Sequence, residues 1–218
     1  MSIAPPRAVI FDVGNVLYDW QIRPFFAELL PAHELDAFLR DVLTMEWHAQ
    51  HDAGRPFAET SAELIAQYPR HAAAIMAFGT RFADTVPHML PGMEAIVHDL
   101  RVAQVPLYAI TNFSHEFWLP FRAREAAIFD LFEDIVVSGE ERLVKPDPAL
   151  YRLALERFGL MPGEAIFIDD RAENISAAEA LGIRGHVFTD AVALRSVLAA
   201  AGLIEARPRG QQASHDLR

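Results

Sequence analysis

The sequence predicts an α/β fold, a doubly wound parallel sheet with an all-helical cap domain inserted after the first strand. Three observations carry this. Short apolar runs alternate with stretches of helical spacing, the mark of parallel βαβ units. The first and longest-read runs each stop at a polar residue. A block of purely helical character, about residues 19–88, then separates the first strand from the second.

The elements follow in order. Ala8-Val9-Ile10-Phe11 is uniformly apolar, as a strand covered on both faces requires, and it stops at Asp12. Gly14 and Asn15 turn the chain. Residues 25–30, 34–45, 57–68 and 71–85 carry apolar side chains three and four apart, with Pro24, Pro31, Gly54-Arg55-Pro56 and Pro69 between them. Leu90-Pro91-Gly92 is a break, and a helix follows over 93–103. The strand Leu107-Tyr108-Ala109-Ile110 ends in Thr111-Asn112; after more helix comes the strand Ile135-Val136-Val137. A helix over 147–158 accepts Pro148 in its first turn. The strand Ala165-Ile166-Phe167-Ile168 ends in Asp169-Asp170, and a helix over 174–181, a short strand at His186-Val187-Phe188 and a helix over 192–201 complete the pattern. The expected core is therefore 1–18 with 89–204 and the cap is 19–88, hinged at 18–21 and 86–92. The aperiodic residues 205–218 read as a disordered tail.

Composition narrows the function. The 218 residues are 52% hydrophobic and 22% charged, which suits a globular chain. No apolar run reaches the ~18 residues of a membrane span, and residues 1–7 hold no apolar signal core. Cysteine is absent, so disulfides, thiolate nucleophiles and cysteine metal sites are excluded, and a cytoplasmic location is expected. A formal net charge of −11 opposes nucleic-acid binding. It leaves room for a small anionic substrate if cations converge locally. Neither composition nor spacing speaks to the oligomeric state.

Ligands of open α/β sheets bind outside the carboxyl ends of the strands. Asp12, Thr111-Asn112 and Asp169-Asp170 all stand at such ends, and Lys145-Pro146 precedes a helix. Singly each is ordinary: aspartate at a strand-to-helix junction is commonly an N-cap, and Thr-Asn is common turn chemistry. Together they describe a carboxylate nucleophile among further carboxylates, an arrangement that repels itself unless a divalent cation sits among them. Mg²⁺ prefers such oxygen donors and tolerates a substrate phosphate oxygen in its shell. A phosphoryl group oriented there could be attacked in line by Asp12, with Lys145 and the Thr111 hydroxyl meeting its charge.

These motifs, Phe11-Asp12-Val13-Gly14-Asn15-Val16-Leu17, Ile110-Thr111-Asn112, Val144-Lys145-Pro146-Asp147-Pro148 and Phe167-Ile168-Asp169-Asp170 with Asn174-Ile175, resemble those of the haloacid-dehalogenase-like superfamily. The resemblance implies Asp12 as nucleophile, Lys145 as the charge-stabilising lysine, and Thr111 and Asn112 as phosphate and substrate contacts. It implies Mg²⁺ held by Asp12, the Gly14 carbonyl and Asp170, with Asp169 behind them or orienting the lysine. The expected reaction is hydrolysis of a small phosphomonoester, a sugar phosphate or similar metabolite, through an aspartyl-phosphate.

One departure stands out. Phosphatases of this superfamily usually place an acid/base aspartate two residues after the nucleophile; here that residue is Gly14. The Asp-x-Gly-Asn variant resembles a branch that includes glucose-1-phosphate phosphatases, whose substrate has a comparatively good leaving group. The cap segment Trp47 to Pro56 is polar and turn-prone and resembles the loop that descends over the active site in capped members. His51, Asp52 and Arg55 are thus expected near the leaving group, with His51 or Asp52 standing in for the missing acid. A 2-haloacid dehalogenase using the same aspartate without metal is the alternative; such enzymes usually carry an aromatic residue at the Gly14 position and lack the acidic pair that Asp169-Asp170 forms. A weakly active phosphometabolite-binding protein is a second alternative.

Overall fold

The computed structural model describes residues 5–206. Its centre is a five-stranded, wholly parallel sheet in the order β3-β2-β1-β4-β5. The strands are β1 (Ala8–Phe11), β2 (Leu107–Thr111), β3 (Asp134–Val137), β4 (Ala165–Asp169) and β5 (Arg184–Val187). Between β1 and β2 run α1 (Ile22–Ala27), α2 (Ala32–Asp41), α3 (Met45–Asp52), α4 (Phe57–Gln67), α5 (Ala72–Thr80) and α6 (Met93–Val102). Then come α7 (His115–Arg124), α8 (Ala126–Phe129), α9 (Ser138–Glu141), α10 (Pro148–Phe158), α11 (Ala172–Glu179) and α12 (Ala191–Ala200).

Alternation along the central strands assigns the two faces. Val9 and Phe11, with Leu107, Ala109, Ile166 and Ile168, join one apolar cluster; Ala8, Ile10, Ile110 and Phe167 join the other. Leu150, Tyr151 and Ala154 of α10 cover the second face. The first cluster continues without interruption into Phe25, Phe26, Phe38 and Phe78 of the cap. Cap and core therefore meet through aromatic contacts: Phe82 stacks on Phe117 at 4.6 Å and lies edge-on to Phe113 at 5.2 Å.

The two chain crossings between core and cap pair with each other. Tyr18 and Met89 form an antiparallel bridge, and the amides of Asp19 and Leu90 donate to the carbonyls of His88 and Leu17 at 3.0 and 2.9 Å. Two expectations change. Residues 47–52, read as part of a turn-prone segment, belong to helix α3, because the Thr44 hydroxyl accepts the Trp47 amide at 3.1 Å and caps it. Its buried residues Trp47, His48, His51 and Asp52 share one face. Strand β5 begins at Arg184, two residues before the apolar run suggested. Of the expected tail, 207–218 lie outside the described residues, while the Glu205 carbonyl accepts from Arg195 at 3.3 Å. No helix among the described residues is long and apolar enough to cross a membrane.

Candidate active site

With β1 central and its neighbours β2 and β4 leading to opposite edges, the carboxyl end of β1 lies at the switch point of the sheet. Asp12 sits there. Its amide donates to Ile168 O at 2.8 Å, and its Oδ1 accepts the Val13 amide at 2.6 Å. Lys145 Nζ lies 2.7 Å from Asp12 Oδ2 and 2.7 Å from Asp169 Oδ2, with 1% of its side chain exposed. Burial opposes the lysine's charge, but the two carboxylates outweigh it and raise its pKa.

Asp169 is fully committed. Besides Lys145 it accepts Asn174 Nδ2 at 2.9 and 3.0 Å and the Arg171 amide at 2.9 Å. It orients the lysine. Asn112 acts on the lysine's backbone: its Oδ1 accepts the Lys145 amide at 2.8 Å and its Nδ2 donates to the Lys145 carbonyl at 3.1 Å. Thr111 is buried at the end of β2, in register with Val137. Asp170 completes the set, half-buried and accepting from Asn15.

Asp12, Asp169 and Asp170 each offer a carboxylate oxygen, all within 4.8 Å of one another. Burial pushes the Asp12 carboxyl up to about 7 and Asp169 adds to it, although Lys145 opposes both. Burial and then the Asp169 charge also raise Asp170. Carboxylates crowded and desolvated in this way are a donor set that fits a hard divalent cation. Gly14 lines the same cavity as Asp12, Asn112 and Asp170. A Cβ built on Gly14 meets nothing within 4 Å, so space for a side chain exists where the sequence supplies none.

The cap residues separate. Asp52, last in α3, lines the Asp12 cavity; its Oδ1 is buried without a partner, while the carboxylate accepts the Ser114 amide. Burial, then the neighbouring Asp12 charge, push the Asp52 carboxyl up to about 7. His51 instead points into the aromatic seam, fully buried, with Nε2 2.6 Å from Thr60 Oγ1 and its ring 5.6 Å from Phe117. Arg55 lines a separate, outer cleft with His51 and Glu116, and its guanidinium pairs with Gln50 and with Glu63 at 2.8 Å. The structure thus brings Asp52 to Asp12 and leaves His51 and Arg55 apart.

Sequence reasoning missed several residues here. Ser138 Oγ donates to the Asp52 carbonyl at 2.6 Å and accepts the Phe113 amide at 3.0 Å, tying the end of α3 to the core. Gly54, which the sequence does mark as a turn, follows with φ +87°, and a Cβ there would meet the Gly139 carbonyl at 2.9 Å, so this turn requires glycine. Trp20, Met45, His48, Phe82, Val86 and Phe113 wall the rest of the cavity. A polar strand end gives a signal in the sequence; these apolar positions give none beyond general hydrophobicity.

The chain is similar to known proteins. The chain is 28% identical over 193 residues to a sesquiterpene phosphatase of Aspergillus oryzae, covering 86% of this chain and 92% of that protein. It is 29% identical over 193 residues to a phosphoglycolate phosphatase of Yersinia pseudotuberculosis, covering 81% and 78%. Its fold is shared, at TM-score 0.64 and 19% identity over 85% of this chain and 95% of that one, with a HAD family enzyme of Bacteroides thetaiotaomicron crystallised with magnesium and inorganic phosphate. The model of haloacid dehalogenase-like hydrolases matches residues 6–182, and the chain belongs to that family of hydrolases.

Proposed function

We propose that the protein is a Mg²⁺-dependent phosphatase that hydrolyses a small phosphomonoester through an aspartyl-phosphate on Asp12. The observation that carries this reading is the acidic trio around Asp12 with Lys145 wedged into it. A metal-free dehalogenase would gain nothing from two further carboxylates beside its nucleophile, which only raise the cost of its charge. The names of the relatives, phosphatases of a sesquiterpene and of phosphoglycolate, support the same class. Mg²⁺ would be held by Asp12, the Gly14 carbonyl and Asp170, with Asp169 behind them. When bound, it supplies neutralising charge and orientation for a phosphoryl oxygen. The absence of cysteine fits a cytoplasmic enzyme.

The residues divide the work as follows. An Asp12 carboxylate oxygen attacks phosphorus in line, and the phosphorus–oxygen bond to the alcohol breaks. Lys145, with Thr111 and neighbouring amides, meets the charge on the phosphoryl oxygens. Asp52 protonates the departing alkoxide. In the second step a water attacks phosphorus, Asp52 accepts its proton, and Asp12 is freed. EDTA should abolish phosphate release and added Mg²⁺ should restore it; 2-haloacid turnover that survives EDTA would overturn the reading.

The role of Asp52 has its own test. Asp52→Asn is expected to slow hydrolysis of alkyl esters by about 10²–10⁴-fold, and p-nitrophenyl phosphate, with its good leaving group, far less. Wild-type turnover of alkyl esters should fall as pH rises through about 7, where Asp52 loses its proton. Stability follows the same sign. With a folded pKa of about 7 against an ordinary 3.8, Asp52 penalises folding increasingly as pH climbs through that window. Asp52→Asn should therefore melt higher than wild type on the alkaline side of the window. Equal pH–rate profiles for the two proteins would remove Asp52 from the mechanism.

A further inference from the structure

The walls around Asp12 also describe the group that leaves. The cavity has a volume of about 140 Å³ and includes the Asp12, Gly14 and Asp170 end where the phosphoryl group would bind, so the leaving group it encloses is small. Beyond the carboxylates it is bounded by the apolar Trp20, Met45, Phe82, Val86 and Phe113, with Asn15, Asn112 and Arg171 supplying polar wall on the core side. Trp20 and Phe82 flank the His48 ring at 5.0 and 5.9 Å, and His48, 6% exposed, is held neutral by its burial.

The cations near this space are already paired. Lys145 is consumed by Asp12 and Asp169, and Arg171, at the rim, is exposed and pairs with Glu173. The cap contributes a carboxyl group, Asp52, and, among the described residues, no cation. Polar capacity is also small: the buried atoms left without partners around the cavity are Trp20 Nε1, His48 Nδ1 and Asp52 Oδ1. A carboxylate seated here would be desolvated, and a sugar ring would leave most hydroxyls without partners, each a cost to binding.

Resting on the phosphatase reading above, we propose that the substrate is a monophosphate of a compact, uncharged, hydrocarbon-bodied alcohol, alkyl, prenyl or aryl, whose body lies against the apolar walls that Trp20, Met45, Phe82, Val86 and Phe113 give this cavity. Hydroxylated and anionic metabolites are selected against by the same walls. This departs from the sugar phosphate expected from the sequence.

The test compares kcat/KM with Mg²⁺ for butyl phosphate, phosphoglycolate and glucose 1-phosphate. Butyl phosphate and phosphoglycolate release alkoxides of similar kind, so the comparison reads the cavity rather than the leaving group. The expected result is a preference for butyl phosphate of about 10²-fold or more. Met45 is 54% exposed at the cavity mouth, so Met45→Arg should fold normally. It is expected to raise kcat/KM for phosphoglycolate about tenfold and to lower it for butyl phosphate. Equal or faster turnover of phosphoglycolate or glucose 1-phosphate by wild type, or an unchanged ratio in Met45→Arg, overturns this inference and leaves the phosphatase reading standing. Absence of Mg²⁺-dependent turnover of every ester overturns both.

Discussion

Asp12→Asn is expected to lose phosphate release by about 10⁴-fold or more while melting close to wild type. The first half follows from the role of the carboxylate: an amide cannot form the aspartyl-phosphate, and removing a nucleophile abolishes the route rather than slowing it. The second half follows from burial. The Asp12 carboxyl is pushed up to about 7, so its charge is costly, and a neutral isostere removes that cost. Lys145 keeps Asp169 as its counter-charge at 2.7 Å. Mass spectrometry of wild type quenched during turnover should find covalent phosphate on Asp12, absent from the variant. A wild type that binds phosphate esters without becoming phosphorylated would instead be the binding protein of the second alternative.

Lys145→Met should be the most destabilising single change at the site. The ammonium group is 1% exposed and bridges two carboxylates, so its loss leaves both buried without their counter-charge. Breaking a buried pair from one side costs about 3–5 kcal/mol, which lowers Tm by roughly 10 °C in a chain of this size. The loss should be largest at alkaline pH and shrink on acidification, because the stranded Asp12 carboxyl, already pushed up by burial, can then take up a proton and shed its charge. Thermal melts at two pH values measure this; a uniform loss would mean that Lys145 acts through packing alone.

The core of the site was legible because an α/β sheet fixes where strand ends go. Asp12, Thr111-Asn112 and Asp169-Asp170 each terminate an apolar run, so the alternation of strands and helices alone brings them to one edge. Lys145 was legible as a motif residue, but its double contact and the Asn112 clasp on its backbone depend on a loop geometry that spacing does not encode. The cap was harder. Residues 47–52 are rich in histidine and polar groups, a loop composition, yet His48, His51 and Asp52 are buried by partners distant in sequence, among them Phe82, Phe117 and Ser138. Arg55 and His51 looked like ligand contacts for the same reason, and their actual partners, Glu63 and Thr60, lie eight and nine residues on. Trp20 gave no signal at all, since a lone tryptophan in a hinge has no period to belong to.

The open space beside Gly14 bears on the timing of the reaction. Nothing within 4 Å would obstruct a side chain there, so the core could carry its own proton donor, and does not. The carboxyl group nearest to that task arrives from α3, at the end of a helix that the cap brings down and Ser138 fastens. A donor fixed in the core would be on duty whether or not a substrate had been enclosed. Under the role proposed for Asp52, the donor is instead supplied by the inserted helices, so proton delivery depends on the Ser138 contact that holds the end of α3 over Asp12.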